Sequence, residues 1–464
     1  MKKYLLLPVL SVLILQTVHS QTNVSGGIFS STTWTLANSP YIVIDTVVVF
    51  PGVTLTIEPG VTVKFDDNMY LEIRQAALVA NGTITDSITF TSNSLSPTPG
   101  IWGHTSNGGL WLNGSMAASH FNFCNVSYAT KGIRDVEHIK NSTFTNNETG
   151  IYNLGQSPVD SCVFRFNVVG ISDIGNATLN FCTISDNYLG VEYVNGALLN
   201  NCTFDSNHLA FGGATGATYN GKFHYCSISH NQSGLHANGI GGNLLSHCMI
   251  NFNSLEGIYF GLAPLGADSI IDCEIKYNGL GVGVNSNTLI TRCDIEYDTI
   301  GIKINNPAAN IYCNKICNNV SYGLQMSTSA NFNVADNYWC TTDSAHVAAA
   351  IYDGYDNVSF GLVTFLPLDS TCYISTSINE IENNSFITIY PNPFSSEAIV
   401  QYGRNLKDAV LTVYNLYGRQ VKQINHISGR TIILSRDHLP GGLYFIHLAE
   451  DNKTLAANKI VITD

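Results

Sequence analysis

Seven cysteines, from Cys162 to Cys293, follow one another at intervals of 20, 20, 24, 22, 25 and 20 residues. Intervals that even are a period, and a period of this length restricts the chain to a solenoid or another stacked-repeat architecture. Aligned on the cysteines, the copies read SCVFRFNVVGI, FCTISDNYLGV, NCTFDSNHLAF, YCSISHNQSGL, HCMINFNSLEGI, DCEIKYNGLGV and RCDIEYDTIGI, with the consensus C-x-[IF]-x-x-N-x-x-G-[IVL]. Fainter copies extend it upstream through Cys124 and Val126 and through Ser142, Phe144 and Asn147. Downstream, Asn314, Ile316 and Asn319 continue it, and a last copy starts at Asn337.

In each copy the Cys and the apolar residue two positions on share one face of a short strand, and the residue between them faces outward. Asn then breaks the strand, Gly admits a second turn and the following [IVL] opens another strand. Apolar spacing of helical period is missing, which argues against leucine-rich and ankyrin repeats. The expected fold is all-β: a parallel β-helix of three short strands per coil, with coils stacked at about 4.8 Å. Cys162 through Cys293 then form an inward stack, structural and free of disulfides. Asn147, Asn167, Asn187, Asn207, Asn231, Asn253 and Asn278 form a turn ladder whose amides bond from coil to coil. Composition agrees, since only 12% of the residues are charged against about 25% in an average soluble chain. A net charge of −13 with 21 Lys+Arg lacks the basic footprint of a nucleic-acid binder.

Two lysines, Lys2 and Lys3, precede an apolar run from Tyr4 to Leu15 and the small-residue site Val18-His19-Ser20. This pattern marks 1–20 as a secretory signal peptide, too short in its apolar core to span a bilayer, and the mature chain carries no transmembrane segment. The repeats resemble those of right-handed, single-stranded parallel β-helix proteins of the pectate-lyase-like kind over roughly residues 45–368. The run VVVFPGVTLTIEPGVTVKF, then LVANGT and ITFTS, is similar to the opening coils of secreted bacterial β-helix proteins, although Ala76 and Ala77 stand where a Gly is usual. DNYWC, IYDGYDN and GLVTFLP resemble a closing coil, with Cys340 in place of a usual Gly. The expected organisation is a β-helix over 21–369, divided into opening coils 45–121, Cys/Asn-ladder coils 122–335 and a closing coil 336–369.

Beyond it the text changes to a Ser/Thr/Asn-rich linker, 370–386, and then to YPNPF, LTVYNLYG, LPGGLYF and KIVIT within 387–464. Alternating strands between Asn/Gly/Pro turns read as a small C-terminal β-sandwich. These four landmarks, in order, closely resemble the type A sorting domain of the Bacteroidota type IX secretion system. That resemblance implies the translocon and sorting machinery as partners. It also implies a monomeric product, secreted or attached to the outer-membrane surface.

Chemistry on a β-helix belongs to its outward columns. Most of these read as hydroxyl and amide, but Glu274, Lys276, Asp294, Glu296 and Lys315 gather on adjacent coils. Carboxylates beside a lysine suit proton abstraction from a uronic acid, with Glu274, Lys276, Asp294 and Glu296 as catalytic candidates and Lys315 as a ligand contact. They also suit Ca²⁺, the one ion the composition suggests; no other cofactor or metal centre is implied. The alternative reading makes Lys276–Glu296 and Asp294–Lys315 cross-strand ion pairs that keep the sheet soluble. His230 and His236 belong to a second cluster near the Gly-rich stretches GGATGATYNG and ANGIGGN and are candidate ligand residues, without metal-site spacing. Asp353, Asp356 and Asn357 fit a capping turn better than a calcium loop. Cys317 and Cys340 fall in an outward column one coil apart, within disulfide range, and are expected to pair; Cys313 with Cys372 is a weaker candidate pair. Two functions remain. One is a non-catalytic glycan-binding, adhesive or structural surface protein; the other is a polysaccharide lyase or glycoside hydrolase. A groove around the charged patch, walled by loops 211–223 and 237–243, would favour the enzyme, and an open face the binder.

Overall fold

The computed structural model describes residues 21–369 and 387–463, apart from 107, 115–118, 136–137, 213–219, 240, 263–265, 416–418 and 451–452. The expected signal peptide, the linker and Cys372 lie outside the described residues. The chain divides into two compact units between residues 374 and 375.

In the first unit each coil contributes three short strands, for example Thr183–Ser185, Leu189–Val194 and Leu198–Asn200. Every strand pairs in parallel with its counterpart one coil away. Thirteen third strands, from Thr32–Trp34 to Asn310–Tyr312, form one sheet. First and second strands form a 27-stranded sheet, joined where the longer strands Thr22–Ile28 and Tyr41–Val49 serve both positions. The unit is therefore the expected parallel solenoid. Its interior is a file of apolar side chains at one position per coil, with Phe164, Ile184, Phe204, Ile228 and Ile250 all fully buried.

Three short strands per coil leave corners whose backbone groups need partners. Between first and second strands the asparagines supply them. Asn187 Oδ1 accepts the backbone N–H and the Nδ2 of Asn167 at 2.9 and 3.0 Å. Its own Nδ2 donates to the Phe164 carbonyl and to Asn207 Oδ1, both at 3.0 Å. The same pattern runs from Asn147 to Asn278. The residue just before each Asn sits in the left-handed region, from Asn146 and Phe166 at φ 56° to Tyr277 at 59°. Non-glycine residues tolerate that conformation because the ladder fixes the corner around them.

Between third and first strands the cysteines do similar work. Cys182 Sγ donates to the Val159 and Asn180 carbonyls, both at 3.4 Å. At the same corner one coil beyond Cys293 an amide takes over, and Asn314 Nδ2 donates to Ile290 and Tyr312 carbonyls at 2.8 and 3.0 Å. The Cys file is thus a turn ladder as well as a core, and all seven of its thiols are free and buried. The consensus glycine has a different reason from the expected turn. Gly170 lies inside the second strand Val169–Ile174, and a Cβ there would meet the Gly190 carbonyl oxygen of the next coil at 2.5 Å. Glycine is kept by close backbone approach.

The second unit is antiparallel. Strands Ile387–Tyr390, Glu397–Asn415, Gln420–Ser435, Gly442–Glu450 and Lys453–Ile462 make one five-stranded sheet. Register shifts interrupt the pairing of the two longest strands. Such bulges bend long strands, and the sheet curls over its own core of Val400, Leu411, Val413, Ile446 and Leu448. The sandwich expected from the sequence is realised by one curled sheet. Among the described residues no helix is long and apolar enough to cross a membrane.

Replacing one rung tests the ladder. Asn207→Ala removes the acceptor of the Asn187 N–H and the donor to the Ile184 carbonyl. It should cost about 2–4 kcal/mol of stability in urea unfolding followed by circular dichroism. Hydrogen exchange should accelerate most in the coils on either side of residue 207.

Candidate functional site

The five charged residues come together as the repeat spacing requires. Glu274, Asp294 and Lys315 are register partners on successive first strands, and Lys276 pairs in register with Glu296. The tightest ion pairs nevertheless run diagonally, Lys276 to Asp294 at 2.9 Å and Lys315 to Glu296 at 2.8 Å. The straight pairs read from the sequence, Lys276–Glu296 and Asp294–Lys315, are both longer at 3.6 Å. A long lysine leaning along the strand reaches the neighbouring column more easily than the residue directly opposite. Lys276 also meets Glu274 at 3.3 Å.

Burial opposes the Lys276 charge, but Asp294 and Glu274 outweigh it and hold the ammonium above the ordinary lysine value. Lys315 is raised in the same way, with burial outweighed by Glu296 and Asp294. Burial pushes the Glu296 carboxyl up, Lys315 pulls it down and Asp294 pushes it up again. Two lysines thus serve three carboxylates. Lysines held this firmly protonated are poor general bases, since a base must lose its proton near the working pH. Asn251 and Asn318 close the patch, donating to Glu274 and Glu296 at 3.0 and 3.3 Å.

The stretch 212–221 joins the second strand Leu209–Phe211 to the third strand Lys222–His224, and 238–243 makes the same junction one coil on. Both therefore leave the solenoid at the corner between second and third strands, whereas the first-strand face is bordered by the other two corners. Residues 213–219 and 240, and with them the course of the expected groove walls, lie outside the described residues.

Of the two candidate histidines, His236 borders both Gly-rich stretches, next to Ala237 in sequence and against Gly212 one coil away, whereas His230 lies at another corner. His230 occupies the Asn-ladder corner, where its Nδ1 meets Asp205 at 2.8 Å. Its ring begins an exposed stack through Phe252, Tyr277 and Tyr297, with centroids 5.3, 4.8 and 5.1 Å apart. His236 lies in the second strand Ser233–Ala237, half-buried, with Nδ1 2.6 Å from Glu256 and its ring stacked on Tyr259 at 4.8 Å. Cys317 and Cys340 are joined by a disulfide with Cα atoms 5.8 Å apart. Among the described residues Glu296 is the acidic group grouped with these sulfurs in a potential metal cluster, and paired sulfurs are not thiolate ligands. Asp353 caps its turn, accepting the N–H groups of Tyr355 and Val363 at 2.9 and 2.8 Å.

Sequence reasoning passed over two features. Asp298 takes the ladder position of an asparagine in RCDIEYDTIGI, a substitution visible in the alignment. Its Oδ1 accepts the N–H and Nδ2 of Asn278 at 2.7 and 2.9 Å, while the buried Oδ2 has no partner among the described residues. In other rungs that position is a donor to a main-chain carbonyl, as Asn278 Nδ2 is to Ile250 at 2.9 Å. A protonated carboxyl restores the donor. Burial accordingly pushes the Asp298 pKa up to about 8, against the pull of Asn278 and Lys276. The second feature is a concavity of about 390 Å³ lined by Asn81, His120, Phe121, Asn122, His138 and Lys140. It lies upstream of the cysteine ruler, and no spacing in the sequence marks it.

Fold and surface together define a parallel β-solenoid whose candidate charged patch is internally paired. Residues 26–140 match the pectate-lyase-like β-helix domain family, and residues 388–463 match the secretion system C-terminal sorting domain family. The chain therefore carries a sorting tail for the type IX secretion system, which makes it a secreted or cell-surface-attached protein. Comparison with curated proteins gives no match. Among solved structures it is similar to the tailspike gp49 of the Acinetobacter baumannii bacteriophage Fri1, a capsular polysaccharide depolymerase, at 11% identity and TM-score 0.31, over 89% of this chain and 73% of that one. It is also similar to the pectate lyase Pel9A, at 12% identity and TM-score 0.20, over 69% of this chain and 70% of that one. An alginate lyase from a Paenibacillus species aligns at 10% identity and TM-score 0.21, over 69% and 93%.

Two substitutions separate the roles described above. Lys276→Met leaves Asp294 and Glu274 without their main counter-charge and should cost about 1–3 kcal/mol in urea unfolding, partly recovered by adding Asp294→Asn. Asp298 has a folded pKa above its unfolded value of 3.8, so the folded state holds a proton that the unfolded chain releases. Its contribution is complete below pH 4 and declines as pH rises to about 8, by roughly 4 kcal/mol between pH 5 and 8. Asp298→Asn should remove that slope and stabilise the protein most at pH 8 and above.

Proposed function

We propose that this protein is an exported, non-catalytic β-helix that holds extracellular polysaccharide against the long side of its solenoid. The observation that carries this reading is the internal pairing of the charged patch, in which Lys276 and Lys315 contact all three carboxylates. A general base for uronate chemistry needs a free, correctly protonated group facing substrate. The patch offers ion pairs instead.

The rest of the first-strand face suits adsorption. Register partners Thr143, Val163, Thr183, Thr203 and Ser227 form one outward column. Thr145, Arg165, Ser185, Asp205 and Ser229 form the next. Hydroxyl groups recurring in most of these coils, which stack about 4.8 Å apart, meet the hydroxyls of a linear glycan at comparable intervals. Exposed aromatic residues border both edges, Phe181 and Tyr225 at one corner and Phe166, Phe252 and Tyr277 at the other. Aromatic edges and hydroxyl columns bind sugars without performing chemistry on them. The sorting tail delivers such a surface to the cell exterior.

Incubation of the purified protein with neutral and acidic polysaccharides, with and without Ca²⁺, is the direct test. Retention on at least one polymer without new reducing ends or unsaturated products is the expected result. Product formation that is lost in Glu296→Gln would replace this reading with a catalytic one. Product formation surviving both Glu274→Ala and Asp294→Ala would place any chemistry away from the patch.

A further inference from the structure

The third-strand sheet ends before the solenoid does. Regular third strands donate back to the preceding coil, as the Leu198, Lys222 and Leu244 N–H groups do to the Ala177, Ala197 and Gly221 carbonyls, each at 2.9 Å. The last member of that sheet is Asn310–Tyr312. The corresponding strand of the next coil, Phe332–Asn333, pairs with Val363–Thr364 instead. Its hydrogen bonds turn away from the sheet, the Phe332 and Val334 N–H groups donating to the Leu362 and Thr364 carbonyls at 2.9 and 2.8 Å. The two coils stay joined at the corner, where the Cys313 N–H donates to the Asp336 carbonyl at 2.7 Å and Asn337 Nδ2 to the Ile311 carbonyl at 2.8 Å. Along the strands they part, and the edge of Asn310–Tyr312 faces the parting.

A concavity of about 440 Å³ fills that parting, lined by Asn310, Tyr312, Asn331, Phe332, Asn333 and Asp336 among others. Its size is that of a small-molecule site, roughly 300–1,000 Å³. Phe332 and Ile311 are buried and supply apolar lining, while Asn310, Tyr312, Asn331, Asn333 and Asp336 are exposed. Two of the amides are already held by their own turns. Asn331 Oδ1 accepts the Leu362 N–H at 2.9 Å, and Asn333 Oδ1 accepts the Ala335 N–H at 3.0 Å. Both Nδ2 groups, and the Asn310 amide, have no hydrogen-bond partner among the described residues. Tyr277 and Tyr297 cover each other at 5.1 Å, whereas Tyr312 has no stacked ring among the described residues. The lining includes one carboxylate, Asp336, and no Lys, Arg or His.

We propose that the parting between Asn310–Tyr312 and Phe332–Asn333 is a binding subsite for a neutral sugar unit of a polysaccharide. This rests on the glycan-binding reading and names a sugar class and a place for it. The amide groups of Asn310, Asn331 and Asn333 donate to sugar hydroxyls, and the Tyr312 ring takes the apolar face of the sugar. Amides fixed by their own turns lower the ordering cost of binding. A uronate or sulfate would bring its charge beside Asp336 with no cation in the lining to offset it, so the site selects against acidic glycans.

The test titrates the whole protein calorimetrically with three neutral probes, cellohexaose, maltohexaose and mannohexaose, and with hexagalacturonate. Saturable binding of at least one neutral probe is expected, with hexagalacturonate weaker by about tenfold or more. Affinity for the neutral probe should fall about tenfold or more in Tyr312→Ala, and stay within about threefold in Tyr312→Phe, which keeps the ring. Asn333→Asp keeps the acceptor for the Ala335 N–H and loses the amide donor, and should weaken binding about threefold or more. Circular dichroism confirms that each variant is folded. Polysaccharide retention with no neutral probe bound, with hexagalacturonate preferred, or with Tyr312→Ala and Asn333→Asp both binding normally, would overturn the subsite and leave the wider reading standing. No retention on any polysaccharide would overturn both.

Discussion

Everything in the solenoid hangs on the hydrogen bonds between one coil and the next. Backbone pairing supplies most of them along the strands, and the corners are where it fails. A three-strand coil of about twenty residues turns sharply three times, and each turn points N–H and carbonyl groups along the axis with no strand opposite. Asn187, accepting from Asn167 and donating to Asn207, answers this with one side chain per coil. Because each rung touches only its neighbours, stability is distributed along the axis. The same arithmetic sets the surface. Once the corners are in register, an outward residue has a known neighbour on each side, and surface chemistry becomes a matter of columns.

The cysteine file shows how one corner requirement is met by two kinds of side chain. Cys182 and Asn314 donate to equivalent pairs of carbonyls, one through a thiol and the other through an amide. The amide makes the stronger bonds and also accepts, as Asn314 Oδ1 does from the Cys293 N–H at 2.9 Å. The thiol gains apolar burial, and desolvation pushes the Cys124 and Cys162 pKa values up to about 12. Thiolates are the reactive form, and burial holds these two thiols far from it. Cys317 has its side chain on the outward column, where Cys340 meets it and the two are bridged. Inside or outside the strand, a shift of one position, decides which chemistry a cysteine takes.

The repeat made the solenoid legible, since a two-residue strand period and a fixed interval leave one way to stack Cys162 to Cys293. The column memberships of Glu274, Asp294 and Lys315 followed from the same ruler, and the register agrees. What the ruler does not carry is rotamer and corner assignment. Diagonal pairing of Lys276 with Asp294 depends on how a flexible side chain leans. Sequence placed loops 211–223 and 237–243 as walls of a groove around the charged patch should one exist, but it did not say that they leave from the corner beyond the second strand. Gly170 was read as a turn residue, whereas only the approach of Gly190 in three dimensions explains it. The concavity beside His120 and His138 joins third strands, which the cysteine alignment does not describe. The sorting tail was legible for the opposite reason, through four local motifs that need no long-range geometry.

A regular ladder leaves little for function, because each rung is already flanked and satisfied by identical neighbours. Chemistry enters where a rung departs from the rule. Asp298 departs by replacing an amide with a carboxyl, and the cost of a buried Oδ2 without a partner is met by keeping a proton. Its place directly inside the coil that bears Asp294 and Glu296 adds no negative charge to a patch that already has one carboxylate too many. Were Asp298 ionised, Lys276 would face four carboxyl charges rather than three, and the nearest relief would be another proton on Glu296, whose pKa burial already raises. The neutral rung therefore lets the surface patch stay ionised and paired.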